Sequence, residues 1–273
     1  MTTLTVDDHV EVKRGLSADY RLVLSAGRTG TVFLTHLFAD AFPQLKVEHE
    51  PFPGRYELLL GNFRNDTGLA RFVMRKLFLT VRQLRLRNLG DYEGLIEINP
   101  LICAVVDLLP ELQRPMMVAH LVREPLSWAR SITTFRASER IRPFFRWIPF
   151  SRPYPSPRPA GWGNLSELER ALWRWRWCNE RIEAQRPFFT SYELIRYEDL
   201  FDRNADTRDL AMQKVLRGLD LHGLSADWQT RYDSRVNAAP VAKPSSRLDG
   251  EDRVNADVVR SICGDLMNRY GYE

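Results

Sequence analysis

The chain has 273 residues, 44% of them hydrophobic and 27% charged, so it can bury a large core and is neither a disordered nor a fibrous sequence. Its formal charge of +4 rests on 34 arginines and only five lysines against 35 acids; the arginine excess suits phosphate and sulfate oxyanions, although a genome's base composition produces the same bias. Cys103, Cys178 and Cys263 are widely spaced and lack CxxC or Cys/His patterns, which argues against a disulfide framework and a zinc site, and there is neither a signal pattern nor an apolar run of about 18 residues. The expectation is a soluble, cytoplasmic protein with no transmembrane segment and no metal.

The first apolar run, YRLVLSA at 20–26, predicts a central strand, and TVFLTHLFADAF at 31–42 has helical spacing. Between them stands AGRTGT. A strand that turns sharply into a helix exposes the unpaired N–H groups of the first turn, and glycine lets an anion approach that backbone. Gly27 and Gly30 supply the access, Thr29 and Thr31 offer hydroxyls, and Arg28 adds a mobile positive charge. The pattern GxxxxGK[ST] is absent, and no lysine follows Gly30, so this is not the nucleoside-triphosphate version of such a loop. Glycine turns join strands to helices in many α/β proteins; the loop by itself leaves anion binding and a plain turn equally open.

Residues 67–90 carry six basic side chains and no acid. Arg71, Arg75, Arg82 and Arg85 could share a helical face, which would be a solvated face, a membrane-surface contact or a grip on an acidic acceptor. GLIEIN at 94–99 and PMMVAHLV at 115–122 read as two further central strands, and PLICAVVDLLPEL at 100–112 as the helix between them, with Pro100 in its first turn. Glu97 and Asn99 end a strand near the ligand side, where structural hydrogen bonding accounts for them. Strands alternating with helices predict an α/β fold of three layers, with a central, mostly parallel sheet flanked by helices and ligands at the strands' carboxyl ends. No internal repeat or linker divides the chain, so one domain is expected over residues 1–273.

Arg123 closes the strand at 115–122, and Ser131 follows eight residues later, after a helix start that Pro125 allows. In a parallel sheet Arg28 and Arg123 both stand at carboxyl ends. Two anion sites then face one crevice, and a ligand with two separated phosphates satisfies both. The stretch 142–164 holds six prolines and several aromatics, which predicts a lid or substrate-loop insertion rather than a helix. A long helix follows at 165–185; its Trp173 and Trp177, one turn apart, fit core packing better than nucleic-acid stacking, and no nucleic-acid partner is expected. FFTSYELIRYEDL at 188–200 reads as strand then turn, and 256–273 as an amphipathic helix.

Taken together, these residues resemble the sulfotransferase family that uses 3'-phosphoadenosine 5'-phosphosulfate (PAPS) as donor and releases adenosine 3',5'-bisphosphate (PAP). AGRTGTVFL is similar to the family's 5'-phosphosulfate loop, in the arginine form of its carbohydrate and tyrosylprotein members, and REPLSWARS to its 3'-phosphate motif. EHEPF at 48–52, LIEINP at 95–100, LIRYEDL at 194–200 and the final YGY are further echoes, so the resemblance spans residues 20–272. It implies a P-loop-like sulfotransferase fold. It also implies that Gly27, Arg28, Thr29, Gly30, Thr31 and Val32 hold the 5' group, Arg123 and Ser131 the 3'-phosphate, and that Tyr197 approaches the nucleotide. Lys243 and Arg247, in KPSSR, fall where relatives close a loop over the 3'-phosphate. In those relatives the general base is a glutamate about twenty residues beyond the loop, often as Glu-Pro; Glu50-Pro51 falls there, with His49 as the alternative base or an orienting partner. On an extended segment only one of these two neighbours faces the crevice. The acceptor implied is a hydroxyl of a small molecule, glycan or lipid. Two rival classes stay open: a P-loop kinase-like phosphotransferase, and a non-catalytic module that binds nucleotide or anionic glycan.

Overall fold

The structure is a computed structural model, and it describes residues 19–63, 68–133, 154–225, 227–230 and 249–272. Five strands form one sheet: β1 (Asp19–Ser25), β2 (Leu45–His49), β3 (Gly94–Ile98), β4 (Met116–Val122) and β5 (Ser191–Arg196). Their order is β2-β3-β1-β4-β5, and every neighbouring pair is parallel. β1 is central, with Val23 beside Ile98 on one side and Ala119 on the other. Strands buried on both faces read as continuous apolar runs, which is why LVL, LIEI and MMVAHLV stand out in the sequence.

Parallel pairing requires crossovers, and helices make them. In chain order they are α1 (Thr31–Ala41), α2 (Gly54–Phe63), α3 (Gly68–Arg87), α4 (Pro125–Thr133), α5 (Glu167–Ala184), the single turn α6 (Tyr197–Leu200), α7 (Ala205–Gly218) and α8 (Asp249–Tyr270). Alternation along β1 sends Tyr20, Leu22 and Leu24 to one face and Val23 to the other. The first face packs on Leu58 of α2, Met74, Phe78 and Leu86 of α3, and Cys178 and Ile182 of α5. The second packs on Phe33, Leu34, Leu37 and Phe38 of α1 and on Met212 and Val215 of α7. A third apolar cluster joins Trp128 of α4, Leu172 and Trp175 of α5, and Leu266 and Tyr270 of α8. The α/β architecture with a parallel sheet between helical layers is therefore as expected; β2, α2 and α7 are elements the sequence reading did not single out.

Two features depart from that reading. Residues 100–112 are not one helix but two 3-10 segments, Pro100–Ala104 and Val106–Leu112. The Asn99 side chain caps the first by accepting from the Leu101 N–H, Val105 at φ −133° interrupts the path, and Pro110 lacks the N–H that a continuing α-helix needs. The long helix α5, by contrast, begins where expected, on a Ser166/Glu169 capping box. Of the 142–164 insertion, only 154–164 lie within the described residues; Trp162 there is half-buried between Tyr154 and the Arg174 guanidinium. Among the described residues no helix is long and apolar enough to cross a membrane.

The basic segment 67–90 becomes α3, but its arginines do not share one solvated face. Arg82 is fully buried, bonded to Glu57 of α2 and, at 2.8 Å, to Glu97 of β3. Glu97 also accepts from Tyr20 Oη at 2.5 Å and Asn99 Nδ2 at 2.8 Å. Burial would push the Glu97 carboxyl up; the Arg82 charge and the Asn99 and Tyr20 hydrogen bonds overcome it and hold the group ionised below the usual range. Arg75 instead makes an exposed pair with Glu111 at 2.6 Å. Removing one partner of a buried pair strands the other charge, whereas an exposed pair contributes little. Arg82→Ala is expected to cost about 3–5 kcal/mol in denaturant unfolding and Arg75→Ala less than about 1 kcal/mol.

Candidate active site

The loop after β1 turns through three left-handed residues, Gly27 (φ 86°), Arg28 (φ 57°) and Gly30 (φ 78°), before α1 begins. Gly30 is the N-cap of α1, and no side chain caps that helix. Its first-turn N–H groups are thus left for an external acceptor, with the positive end of the helix dipole behind them. Inside the loop Thr29 is 1% exposed, and its Oγ1 has no hydrogen-bond partner among the described residues. A buried hydroxyl without a partner is costly, and an anion cradled by this loop would supply one. A Cβ on Gly30 would run into the Phe201 ring, which also meets Phe33 edge-on at 5.4 Å.

β4 delivers the second arginine to the same place. Because β1 and β4 are parallel neighbours, Arg123 follows the strand end beside the β1 loop, and its guanidinium donates to the Arg28 carbonyl at 3.1 Å. Arg123 also donates to Ser127 Oγ from Nε at 3.1 Å and from a terminal nitrogen at 2.8 Å, and lies 4.5 Å above the Tyr197 ring. Arg28 in turn reaches across to Ser131, Nε to Oγ at 3.1 Å. Burial, and then the Arg123 charge, lowers the Arg28 pKa: two like charges are held together in a partly dry crevice that an anion would relieve. Two buried indoles peg the backbone beneath them. Trp128 Nε1 donates to the Gly27 carbonyl and Trp175 Nε1 to the Arg123 carbonyl, each at 2.8 Å. Glu124 caps α4 through Leu126 and Ser127 N–H groups, and Glu198 accepts from the Glu124 N–H and from Tyr272 Oη.

The third component sits at the end of β2. His49 pairs in register with Ile98, and its Nε2 lies 3.2 Å from Thr31 Oγ1 at the start of α1. Glu50, whose N–H bonds to the Ile98 carbonyl, then adopts φ 42°. This left-handed step breaks the alternation expected of an extended segment, so the argument that only one of the pair can face the crevice does not hold. Burial lowers the His49 pKa, the Glu50 charge opposes that and His36 adds to it. Next to Glu50 the side chains of Phe52 and Tyr56 are 78% and 51% exposed and meet edge-on at 5.9 Å.

The contacts therefore connect the 27–32 loop with Arg123, Ser131, Tyr197 and His49, and Glu50 follows His49 in the chain. Lys243 and Arg247 lie outside the described residues. Ser127 was missed; its signal is its place four residues after Arg123, one helical turn along, which is closer to that guanidinium than Ser131 is to it in sequence. Among the described residues no cluster of three or more His, Cys, Asp and Glu is arranged to hold a metal ion. A cleft of about 690 Å³ opens elsewhere, between Asn62, the 154–158 strip and Arg181; none of the loop residues lines it.

No protein-family model and no curated protein matches the chain at the level of sequence. Its fold does have solved counterparts. A sulfotransferase domain from the curacin biosynthetic pathway aligns with a TM-score of 0.53 at 16% identity, covering 94% of this chain and 98% of that one. Sulfotransferase STF9 from Mycobacterium avium aligns with a TM-score of 0.53 at 14% identity, covering 98% of this chain and 81% of that one. The class defined by the parallel sheet is thus the sulfotransferase fold.

Two outcomes follow from the geometry. Gly30→Ala combines a left-handed backbone with a clash against Phe201, and should lower stability by about 1–2 kcal/mol or more in thermal unfolding. His49 should titrate below 6.5 when its ring is followed by NMR, and Glu50→Gln, which removes a charge that raises its pKa, should move the midpoint lower still. A neutral histidine favoured by the fold contributes stability above its unfolded pKa, and that contribution is lost as pH falls through the folded value.

Proposed function

We propose that the protein transfers a sulfuryl group from PAPS to a hydroxyl acceptor. The observation that carries this reading is that Arg123, from the crossover after β4, bonds the backbone carbonyl of Arg28 in the loop after β1, so that two arginines from separate crossovers stand beside an uncapped helix start. Two charged anchors suit a donor with phosphates at both ends of its ribose, and the fold shared with two sulfotransferases supports the same choice.

Sulfuryl transfer, like phosphoryl transfer, asks chiefly for positioning and neutralisation of charge. In this reading Arg28 and the N–H groups of residues 29–31 hold the 5'-phosphate and stabilise the charge that grows on the bridging oxygen as the sulfur–oxygen bond breaks. Thr29 and Thr31 add hydroxyls at the same loop. Arg123, with Ser127 and Ser131 close by, binds the 3'-phosphate and selects the donor over one lacking that group. Tyr197 supports the Arg123 guanidinium from below. Lys243 and Arg247 are assigned to closing over the 3'-phosphate. Glu50 takes the proton of the acceptor hydroxyl during attack, and His49 orients the junction from Thr31. Phe52 and Tyr56 offer the apolar surface against which a glycan, lipid or small metabolite acceptor would lie.

The test is transfer of label from sulfur-labelled PAPS to a panel of hydroxyl acceptors without magnesium. Glu50→Gln is expected to lower kcat by about 10²–10⁴ while leaving PAP binding intact. Arg28→Ala is expected to weaken PAP binding about 10- to 100-fold and to abolish measurable turnover. Donor binding with no transfer to any acceptor would support a binding module instead, and magnesium-dependent cleavage of ATP a kinase-like enzyme.

A further inference from the structure

The arginine on α3 nearest the candidate base touches the chain on both sides of it. Arg85 donates a hydrogen bond to the Phe52 carbonyl, two residues after Glu50. Its other terminal nitrogen lies 3.8 Å from Glu48 Oε2, two residues before Glu50, and 3.7 Å from Glu97 Oε2 in the neighbouring strand. The Arg85 side chain is only 15% exposed, Glu48 20% and Glu97 not at all. One planar group thus spans the end of β2, the loop beyond it and the end of β3. Glu50 stands between the two tethered points, in the left-handed conformation that a non-glycine residue holds only when its surroundings impose it.

We infer that Arg85 is a positioning residue for Glu50: it braces residues 48–52 so that the carboxylate is held at the rim of the arginine crevice. This rests on the reading of Glu50 as general base. Lysine cannot substitute, because a single ammonium on a flexible stem does not make both contacts in a fixed plane. Arg82, one turn earlier, does different work; it bonds Glu57 and Glu97 and leaves residues 48–52 alone.

A double-mutant cycle on kcat, with PAP affinity measured by calorimetry on each variant, tests this. Arg85→Gln should lower kcat about 10- to 100-fold, the usual effect of misplacing a reacting group by an ångström, and leave PAP affinity within about twofold. In the Glu50→Gln background the same substitution should cost almost nothing, since there is no base left to misplace. A loss that repeats in full on top of Glu50→Gln, or a matching loss of PAP affinity, makes Arg85 a general structural residue and overturns the inference alone. A Glu50→Gln variant as active as the wild type overturns the base assignment and the inference with it. Arg85→Lys keeps the buried charge and is run through the same cycle, so the outcome does not depend on how well Arg85→Gln folds.

Discussion

Holding two like charges close enough to act on one another is the constraint around which this molecule is arranged. The Arg28 and Arg123 guanidinium groups are brought together by the parallel pairing of β1 and β4, which places both strand ends side by side. Left to themselves the two cations would separate into solvent. They do not, because each is tied down from a different direction: Arg28 to Ser131, and Arg123 to Ser127, to the Arg28 carbonyl and to the face of Tyr197. The pegs below are apolar indoles whose single N–H groups reach loop carbonyls, so the positions are set by core packing rather than by long surface side chains. Burial, and after it the Arg123 charge, lowers the Arg28 pKa all the same.

A second group of charges is organised in the opposite sense. Around Glu97, opposite charges and neutral donors converge until the carboxylate is satisfied: Tyr20, Arg82 and Asn99 all bond it. At Glu57 burial, against the pull of Arg82 and with the Glu97 charge adding to it, pushes the pKa up, whereas at Glu97 the Arg82 charge and the Asn99 and Tyr20 hydrogen bonds overcome burial and hold the pKa down. Such buried networks add little net stability over an apolar core, but they admit one arrangement and reject others. Here the arrangement admitted docks α2 and α3 against β3, and so decides where the chain leaves β2 and presents residues 48–52. The arginine loop and the segment 48–52 are therefore held by different physics, one by packing beneath a repulsion and the other by mutual satisfaction of buried charges.

The loop AGRTGT was legible because its glycines are needed by the turn itself: Gly27 and Gly30 both have positive φ. β1, β3 and β4 were legible because strands buried on both faces carry runs of apolar residues, LVL, LI and MMVA here. β2, with the sequence LKVEH at the sheet edge, has only its first residue buried and lacks that signature. The 100–112 segment misled because its apolar pattern is helical while Asn99, Val105 and Pro110 prevent a helix. Arg82 and Arg85 looked like the polar face of an amphipathic helix; nothing in local spacing reveals that Glu57, Glu97 and Glu48 wait beneath them.

By itself, then, the order of residues determined the α/β alternation, the glycine turn after β1 and the two arginines at strand ends, since each depends on patterns no longer than one crossover. Which serine meets which arginine, the left-handed turn at Glu50 and the brace from Arg85 were decided by the tertiary structure. Arg28 and Ser131 are 103 positions apart and Arg85 and Phe52 33, and such partners are chosen by strand pairing and helix docking, which act through space rather than along the sequence.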